Sequence, residues 1–205
     1  MSVPLVVGVL LAAGRGERFG GHKLQVPVAV MTDGVRTEMP MATAACRTLM
    51  SALARTIAVV RPGDEALAVQ LRSVGAQVIE CATAHEGMGA SLACGVGAAS
   101  DAHGWVIALA DMPWIAPASV VAVRDAIIAG APIAAPFFRE RRGHPVGFGR
   151  QYYPDLVALS GDTGAQSVLR RWEREIRRIE VDDPGVLQDV DTIRSCGDRS
   201  SVSQE

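Results

Sequence analysis

Residues 14–23 read Gly-Arg-Gly-Glu-Arg-Phe-Gly-Gly-His-Lys, which sets glycines at 14, 16, 20 and 21 among the cations Arg15, Arg18 and Lys23. Glycine lets successive backbone N–H groups close around an anion as a concave nest, and the cationic side chains supply charge at longer range. The stretch reads as a loop for a polyphosphate. A second candidate, Asp111, follows the apolar run 104–110, Gly-Trp-Val-Ile-Ala-Leu-Ala. A lone carboxylate at the carboxyl end of a buried strand lies where open α/β sheets hold their ligands. With phosphates nearby its chemistry is that of a magnesium ligand, because Mg²⁺ takes one or two carboxylates together with phosphate oxygens. Each has a plainer alternative: a solvated basic turn for the loop, and a helix cap or turn former for Asp111.

Spacing separates the glycine loop from the two common phosphate motifs. A Walker A loop needs four residues between its glycines and then Gly-Lys-Ser/Thr, which this chain lacks. The dinucleotide fingerprint begins correctly at Gly14-Arg15-Gly16, but Phe19 stands where its third glycine belongs. No acidic residue ends the second apolar run either, since 57–60 continues into Arg61-Pro62-Gly63.

The elements that must position these groups alternate along the chain. Residues 5–13 form an apolar run of the kind buried on both faces in a parallel sheet. After Lys23 the chain shows a turn signal at Thr32-Asp33-Gly34 and then Met39-Pro40, with proline suited to the first turn of a helix over 41–54. The section 28–38 has no assigned chemistry. A strand at 57–60, a helix capped by Asp64 and reaching 72 or 73, and a strand at 77–81 follow. Residues 87–99 are small throughout, with Met88, Leu92 and Val96 at helical spacing. Each interior glycine costs a helix about 1 kcal/mol relative to alanine, so something must require close approach there. A nucleotide base against the first turn would, leaving Ser91 to read its edge; the alternative for Ser91 is a hydroxyl bonded locally.

The strand 104–110 leads to a helix over 116–129, and strands at 131–138 and 145–148 flank the excursion Arg139-Glu140-Arg141-Arg142-Gly143. Helical stretches at 154–159 and 164–171 surround the turn Ser160-Gly161-Asp162-Thr163. A charged helix face is expected at 172–178, a short strand at 179–181, and a polar, frayed tail after Cys196. Strands alternating with helices predict one α/β domain over residues 1–195, a three-layer α/β/α Rossmann-like fold with a mostly parallel sheet.

Composition agrees. The chain of 205 residues is 49% apolar with only three Trp, two Tyr and four Phe, so Ala, Val, Leu and Ile build the core. A formal net charge of −2 gives no reason to expect nucleic acid as a partner. Cysteines 46, 81, 94 and 196 lack metal-site or disulfide spacing and read as thiols in a reducing compartment. The first apolar run is too short for a membrane span and has no basic region before it, so a cytoplasmic protein is expected.

Residues 11–20, Leu-Ala-Ala-Gly-Arg-Gly-Glu-Arg-Phe-Gly, with Lys23 after them, resemble the signature of the nucleotidyltransferases that include the molybdenum cofactor cytidylyltransferases and guanylyltransferases. The resemblance continues, in family order, through Val60-Arg61-Pro62-Gly63-Asp64, Gly87-Met88-Gly89-Ala90-Ser91-Leu92, Ala110-Asp111-Met112-Pro113, Gly143-His144-Pro145-Val146, Ser160-Gly161-Asp162-Thr163-Gly164-Ala165 and Asp189-Val190-Asp191-Thr192. In the last of these, Ile193 replaces the usual proline.

What the resemblance implies is transfer of a nucleoside monophosphate with Mg²⁺ as cofactor. Leu11, Ala12, Ala13, Gly14, Arg15, Gly16, Arg18, Lys23, Gly87 and Ser91 would bind the nucleotide, with Arg18, Lys23 and Asp111 as the catalytic charges. Asp111 and Asp191 would hold the metal, Asp189 supporting them, and His144 and Pro145 would meet a phosphorylated acceptor. The Leu-Ala-Ala-Gly opening resembles the cytidylyltransferase branch, which implies CTP as donor, molybdopterin as acceptor and a molybdoenzyme as client. Two alternatives follow from the same likeness: a reductase of the nicotine blue oxidoreductase type using a reduced nicotinamide cofactor, and a non-catalytic accessory protein that carries the pterin cofactor.

Overall fold

The computed structural model describes residues 4–14, 22–32 and 34–190. Its centre is an eight-stranded sheet in the order β5 (Gln77–Glu80), β4 (Thr56–Val60), β1 (Val6–Leu11), β6 (Gly104–Leu109), β9 (Val146–Gly149), β7 (Ile133–Phe138) and β10 (Ile176–Glu180), with the two-residue β8 (Arg141–Arg142) paired to β7. β1 pairs parallel with β4 and β6, β4 with β5, and β7 with β10. β9 runs antiparallel between β6 and β7. The mostly parallel α/β/α fold expected from the alternation is therefore present.

Successive side chains of a strand point to opposite faces, and here both faces are covered. From β1, Leu10 joins Leu49 of α1 (Met41–Ala52), Leu71 of α2 (Glu65–Ser73) and Val123 of α4 (Pro117–Ile128) in one core layer. Val7 and Val9 join Leu92 and Val96 of α3 (Met88–Gly97), Leu156 of α5 (Tyr153–Val157) and Leu169 of α6 (Gln166–Arg171) in the other. Burying each such side chain contributes about 1.5–3 kcal/mol. The small residues of α3 have a packing cause: a Cβ at Gly95 would lie 2.5 Å from Val9 Cγ1 and 2.8 Å from Val59 Cγ2, so only glycine lets the helix settle this low on the sheet.

One unassigned section gains a structure and one local expectation is corrected. The section 28–38, left without a role, forms most of an antiparallel hairpin of β2 (Pro27–Thr32) and β3 (Val35–Pro40), whose two strands make a separate small sheet. Its Val28 packs with Met41, Ala44 and Val190, and Trp114 Nε1 donates to Ala29 O at 3.0 Å. The charged helix face expected over 172–178 is a short 3-10 turn, Glu173–Glu175, followed by β10, so Arg177 and Arg178 are edge-strand residues. Pairing with β7, Ile176 opposite Ile133, overrides a local charge pattern that suits a helix.

Candidate active site

The strand order reverses at β1: β4 and β5 lie to one side and β6 and its neighbours to the other. Ligands of open α/β sheets bind outside the carboxyl ends of the strands at such a switch. Two backbone bonds fix that end here. Ala12 N donates to Val59 O at 2.9 Å and Ala110 N donates to Leu11 O at 3.1 Å, locking the start of the glycine loop between β4 and β6. Ala12 and Ala13 are buried, Leu11 is half-buried and Gly14 is exposed, so the loop leaves the sheet at Gly14. Arg15, Gly16 and Arg18 lie outside the described residues, as does Asp191.

The chain beyond the loop returns to the same place. His22, with φ 53°, leads into a single 3-10 turn, Lys23–Gln25, and Lys23 Nζ donates to Asp111 Oδ2 at 2.9 Å. These two side chains, 88 positions apart in sequence, are only 12% and 29% exposed. The structure thus unites the two residues whose chemistry was read independently. Val190 N donates to the backbone carbonyl of Asp111 at 3.0 Å, which brings the segment carrying Asp189 alongside the Asp111 backbone, one residue short of Asp191. Asp111 offers hard carboxylate oxygens and already attracts a cation, which fits a divalent ion. Among the described residues no three His, Cys, Asp or Glu side chains cluster as a metal site, so such an ion would depend on Asp191 and on ligand oxygens.

His144 is half-buried and Pro145 buried. Gly143 N donates to Pro136 O at 2.8 Å and His144 N to Val186 O at 2.9 Å, fastening the segment between β7 and the 3-10 turn Pro184–Leu187. His144 Nδ1 is buried without a hydrogen-bond partner. Burial pushes the imidazole down to about 4; the charge of Asp111 opposes that shift and Arg142 adds to it. With that shift the ring is neutral near pH 7 and can offer an acceptor only a neutral imidazole. Pro145 is buried and lines a small apolar gap with Leu109, Met112 and Ile115, which makes it a packing residue. The neighbouring cations Arg139, Arg141 and Arg142 are all exposed, the last two on β8 and the first lying over the Phe138 ring at 5.1 Å.

Gly87 and Ser91 lie at the start of α3, and the first turn already has a partner. Gly89 N donates to Gly161 O at 2.7 Å, and a Cβ at Gly89 would stand 2.6 Å from Ser160 O. At Gly87, with φ 130°, a Cβ would stand 2.2 Å from Asp162 Oδ1. The close approach inferred from this glycine-rich helix is thus made by the loop 160–164 and, through Gly95, by the sheet. Ser91 is 4% exposed and its Oγ donates to Gly87 O at 3.3 Å, the local role weighed against base recognition.

Asp183 is a positioning residue that sequence reasoning missed. Its Oδ2 accepts from Ala116 N at 2.8 Å and Ser119 Oγ at 2.7 Å, and its Oδ1 from Gly185 N at 2.9 Å. The carboxylate ties the start of α4 to the turn that feeds the segment beside Asp111. Asp183-Pro184-Gly185 is a visible turn signal, but its partners 67 and 64 positions away leave no local trace.

Among the described residues no helix is long and apolar enough to cross a membrane. Comparison with known proteins agrees with the geometry. The chain is 29% identical to the purine catabolism protein PucB of Bacillus subtilis (strain 168) over 94% of each chain. It is also 29% identical to the nicotine blue oxidoreductase of Paenarthrobacter nicotinovorans, over 93% of this chain and 94% of that one. The crystal structure of Rv0371c from Mycobacterium tuberculosis H37Rv superposes with a TM-score of 0.80 at 27% identity, covering 95% of this chain and 96% of that one, and Rv0371c has also been solved in complex with manganese. Residues 8–176 match the family described as the MobA-like NTP transferase domain, and with the glycine loop, Lys23 and Asp111 all inside that span the chain belongs to this family of nucleotidyltransferases.

Proposed function

We propose that the protein transfers CMP from CTP to a phosphorylated acceptor of the molybdopterin type and releases pyrophosphate with the help of Mg²⁺. The observation that carries the reading is the convergence of Lys23 and Asp111 at 2.9 Å beside the exit of the glycine loop. An acceptor phosphate is already an anionic nucleophile, so the site needs no general base. One acceptor oxygen forms a bond to the α-phosphorus, the bond from that phosphorus to the bridging oxygen breaks, and its electron pair leaves with pyrophosphate. The site supplies alignment and charge. Arg18, Lys23 and the backbone of 14–16 bind the β- and γ-phosphates. Asp111 and Asp191 hold the Mg²⁺, with Asp189 in support. Held there, such an ion would supply Lewis-acid charge to the α-phosphate and the leaving group.

Cytidine as the base rests on the Leu-Ala-Ala-Gly opening of the loop. For the acceptor, the exposed Arg141 and Arg142 precede the half-buried His144 in the chain and supply cations that a phosphate would meet. The test is pyrophosphate release from CTP, GTP, ATP and UTP with Mg²⁺ and molybdopterin. Release with CTP, lowered about 10²–10³-fold in Asp111→Ala, is expected. Full activity in Asp111→Ala contradicts the mechanism, and pterin binding without release from any triphosphate supports an accessory carrier instead.

The 29% identity to the nicotine blue oxidoreductase favours a second reading, hydride transfer from a reduced nicotinamide cofactor. Against it stands the presence of both Asp111 and Asp191, because hydride transfer itself needs no metal pair. NADPH oxidation that is indifferent to Mg²⁺ and to Asp111→Ala would establish it.

A further inference from the structure

The hairpin that occupies the section without assigned chemistry has an inner and an outer strand. β2 is the inner one: Val28 is buried with Met41 and Ala44, and Ala29 O accepts from Trp114 Nε1 at 3.0 Å. β3 lies outside it, and among the described residues β2 is the one strand paired with it. The free side of such a strand offers a row of backbone donors and acceptors to another strand. We infer that β3 is a self-association edge, which pairs antiparallel with β3 of a second copy of this chain about a two-fold axis at Thr37.

The order of residues, Val35-Arg36-Thr37-Glu38-Met39, selects the occupant. Laid antiparallel on itself with Thr37 at the axis, the segment sets Arg36 opposite Glu38 of the partner subunit, and Glu38 opposite Arg36 of the partner subunit. Val35 then meets Met39 of the partner subunit on the other face, again twice. Directly opposite residues have Cβ atoms about 4.5–5.5 Å apart, close enough for opposite charges to attract and apolar side chains to touch. Each patch is thus its own complement, as a two-fold interface requires. Within one copy these side chains lack such partners: across the hairpin Arg36 faces Met31 and Glu38 faces Ala29, both charges are exposed, and Val35 is 60% exposed. Moving the axis to Arg36 or to Glu38 sets like charges opposite each other, so charge also defines the register. Because α1 follows directly at Met41, the antiparallel sense puts the two domains at opposite ends of the joined strands. A contact of one short strand belongs to the weak, transient class of interfaces. The inference concerns assembly and goes beyond the reaction proposed above.

The test is sedimentation velocity of the full chain from about 1 to about 200 µM, a range that spans weak dimerisation. Wild-type protein is expected to pass from monomer towards dimer across it. Arg36→Glu and Glu38→Arg each place two like-charge pairs in the interface, and each is expected to weaken the dimer about tenfold or more. An equimolar mixture of these two variants restores both opposite-charge pairs, so they should associate with each other about as tightly as wild type does with itself. The double variant Arg36→Glu/Glu38→Arg should recover self-association in the same way. A monomer throughout the range, a dimer that the single reversals leave unchanged, or a mixture of the two variants that stays monomeric overturns the inference. Pyrophosphate release, assayed separately, tests the reaction, so either reading can fail without the other.

Discussion

Lowering the pH should destabilise this protein through His144 in particular. The imidazole is held at about 4 against an ordinary value of 6.5, chiefly by burial. Between those two values the unfolded chain carries a proton that the folded chain refuses, so stability falls as pH drops through the window and is flat above it. At 1.36 kcal/mol per unit, the loss approaches about 3 kcal/mol by pH 4, an upper bound because part of the residue reaches the surface. Two charges modify the effect that burial sets: Asp111 attracts the protonated ring and Arg142 repels it. Urea denaturation of wild type and His144→Gln at steps between about pH 7 and pH 4.5 separates this contribution from the carboxylates common to both proteins. The difference in unfolding free energy between the two should change by about 1 kcal/mol per pH unit below pH 6.5. Parallel pH profiles would refute the assignment of a buried, neutral His144.

Other substitutions test the positioning of the site. Asp183→Ala leaves the Ala116 N–H, the Ser119 hydroxyl and the Gly185 N–H without their acceptor, which should cost about 3 kcal/mol and lower Tm by about 6–12 °C in a thermal melt. In α3, Gly97→Ala meets open space and should stabilise by about 0.5–1 kcal/mol, whereas Gly89→Ala drives a Cβ into Ser160 O and should destabilise by about 1–3 kcal/mol. Limited proteolysis of Gly89→Ala should show faster cleavage within 158–165, where the displaced loop lies; an unchanged pattern would deny the seam between that loop and α3. Glu140→Gln breaks the 2.7 Å pair to Arg178, but that pair is exposed, so denaturant melts should show a change below about 1 kcal/mol.

The parts of the fold that the sequence announces are those whose signal is local. The apolar runs that became β1 and β6 are buried on both faces, and the carboxylate after the second could be read directly as a ligand at the sheet's carboxyl edge. Lys23 was recognisable from its loop, but that it pairs with Asp111 depends on the way β1 and β6 lie side by side. What was not legible is nonlocal. The antiparallel β9 enters between β6 and β7, and its four residues, Val-Gly-Phe-Gly, do not specify which neighbours they will have. β10 carries charges at a spacing that fits a helix and becomes a strand because the edge of β7 is available. The inward position of His144 follows from its backbone bond to Val186 O, a partner 42 positions later that no short motif encodes. The small residues of α3 signalled close approach correctly, yet the approaching groups are Val9, Val59 and the loop 160–161 of the chain itself.

The most direct test of the central claim is a thermal-shift series with CTP, GTP, ATP, UTP and NADPH, each with and without Mg²⁺, on wild type and Asp111→Asn. A ligand at about a hundred times its Kd adds about 2.7 kcal/mol, which in a chain of this size raises Tm by about 5–10 °C. The account predicts a shift of this order with CTP that requires Mg²⁺ and disappears in Asp111→Asn. A shift with NADPH alone, unaffected by Mg²⁺ or by loss of the Asp111 carboxylate, would contradict it.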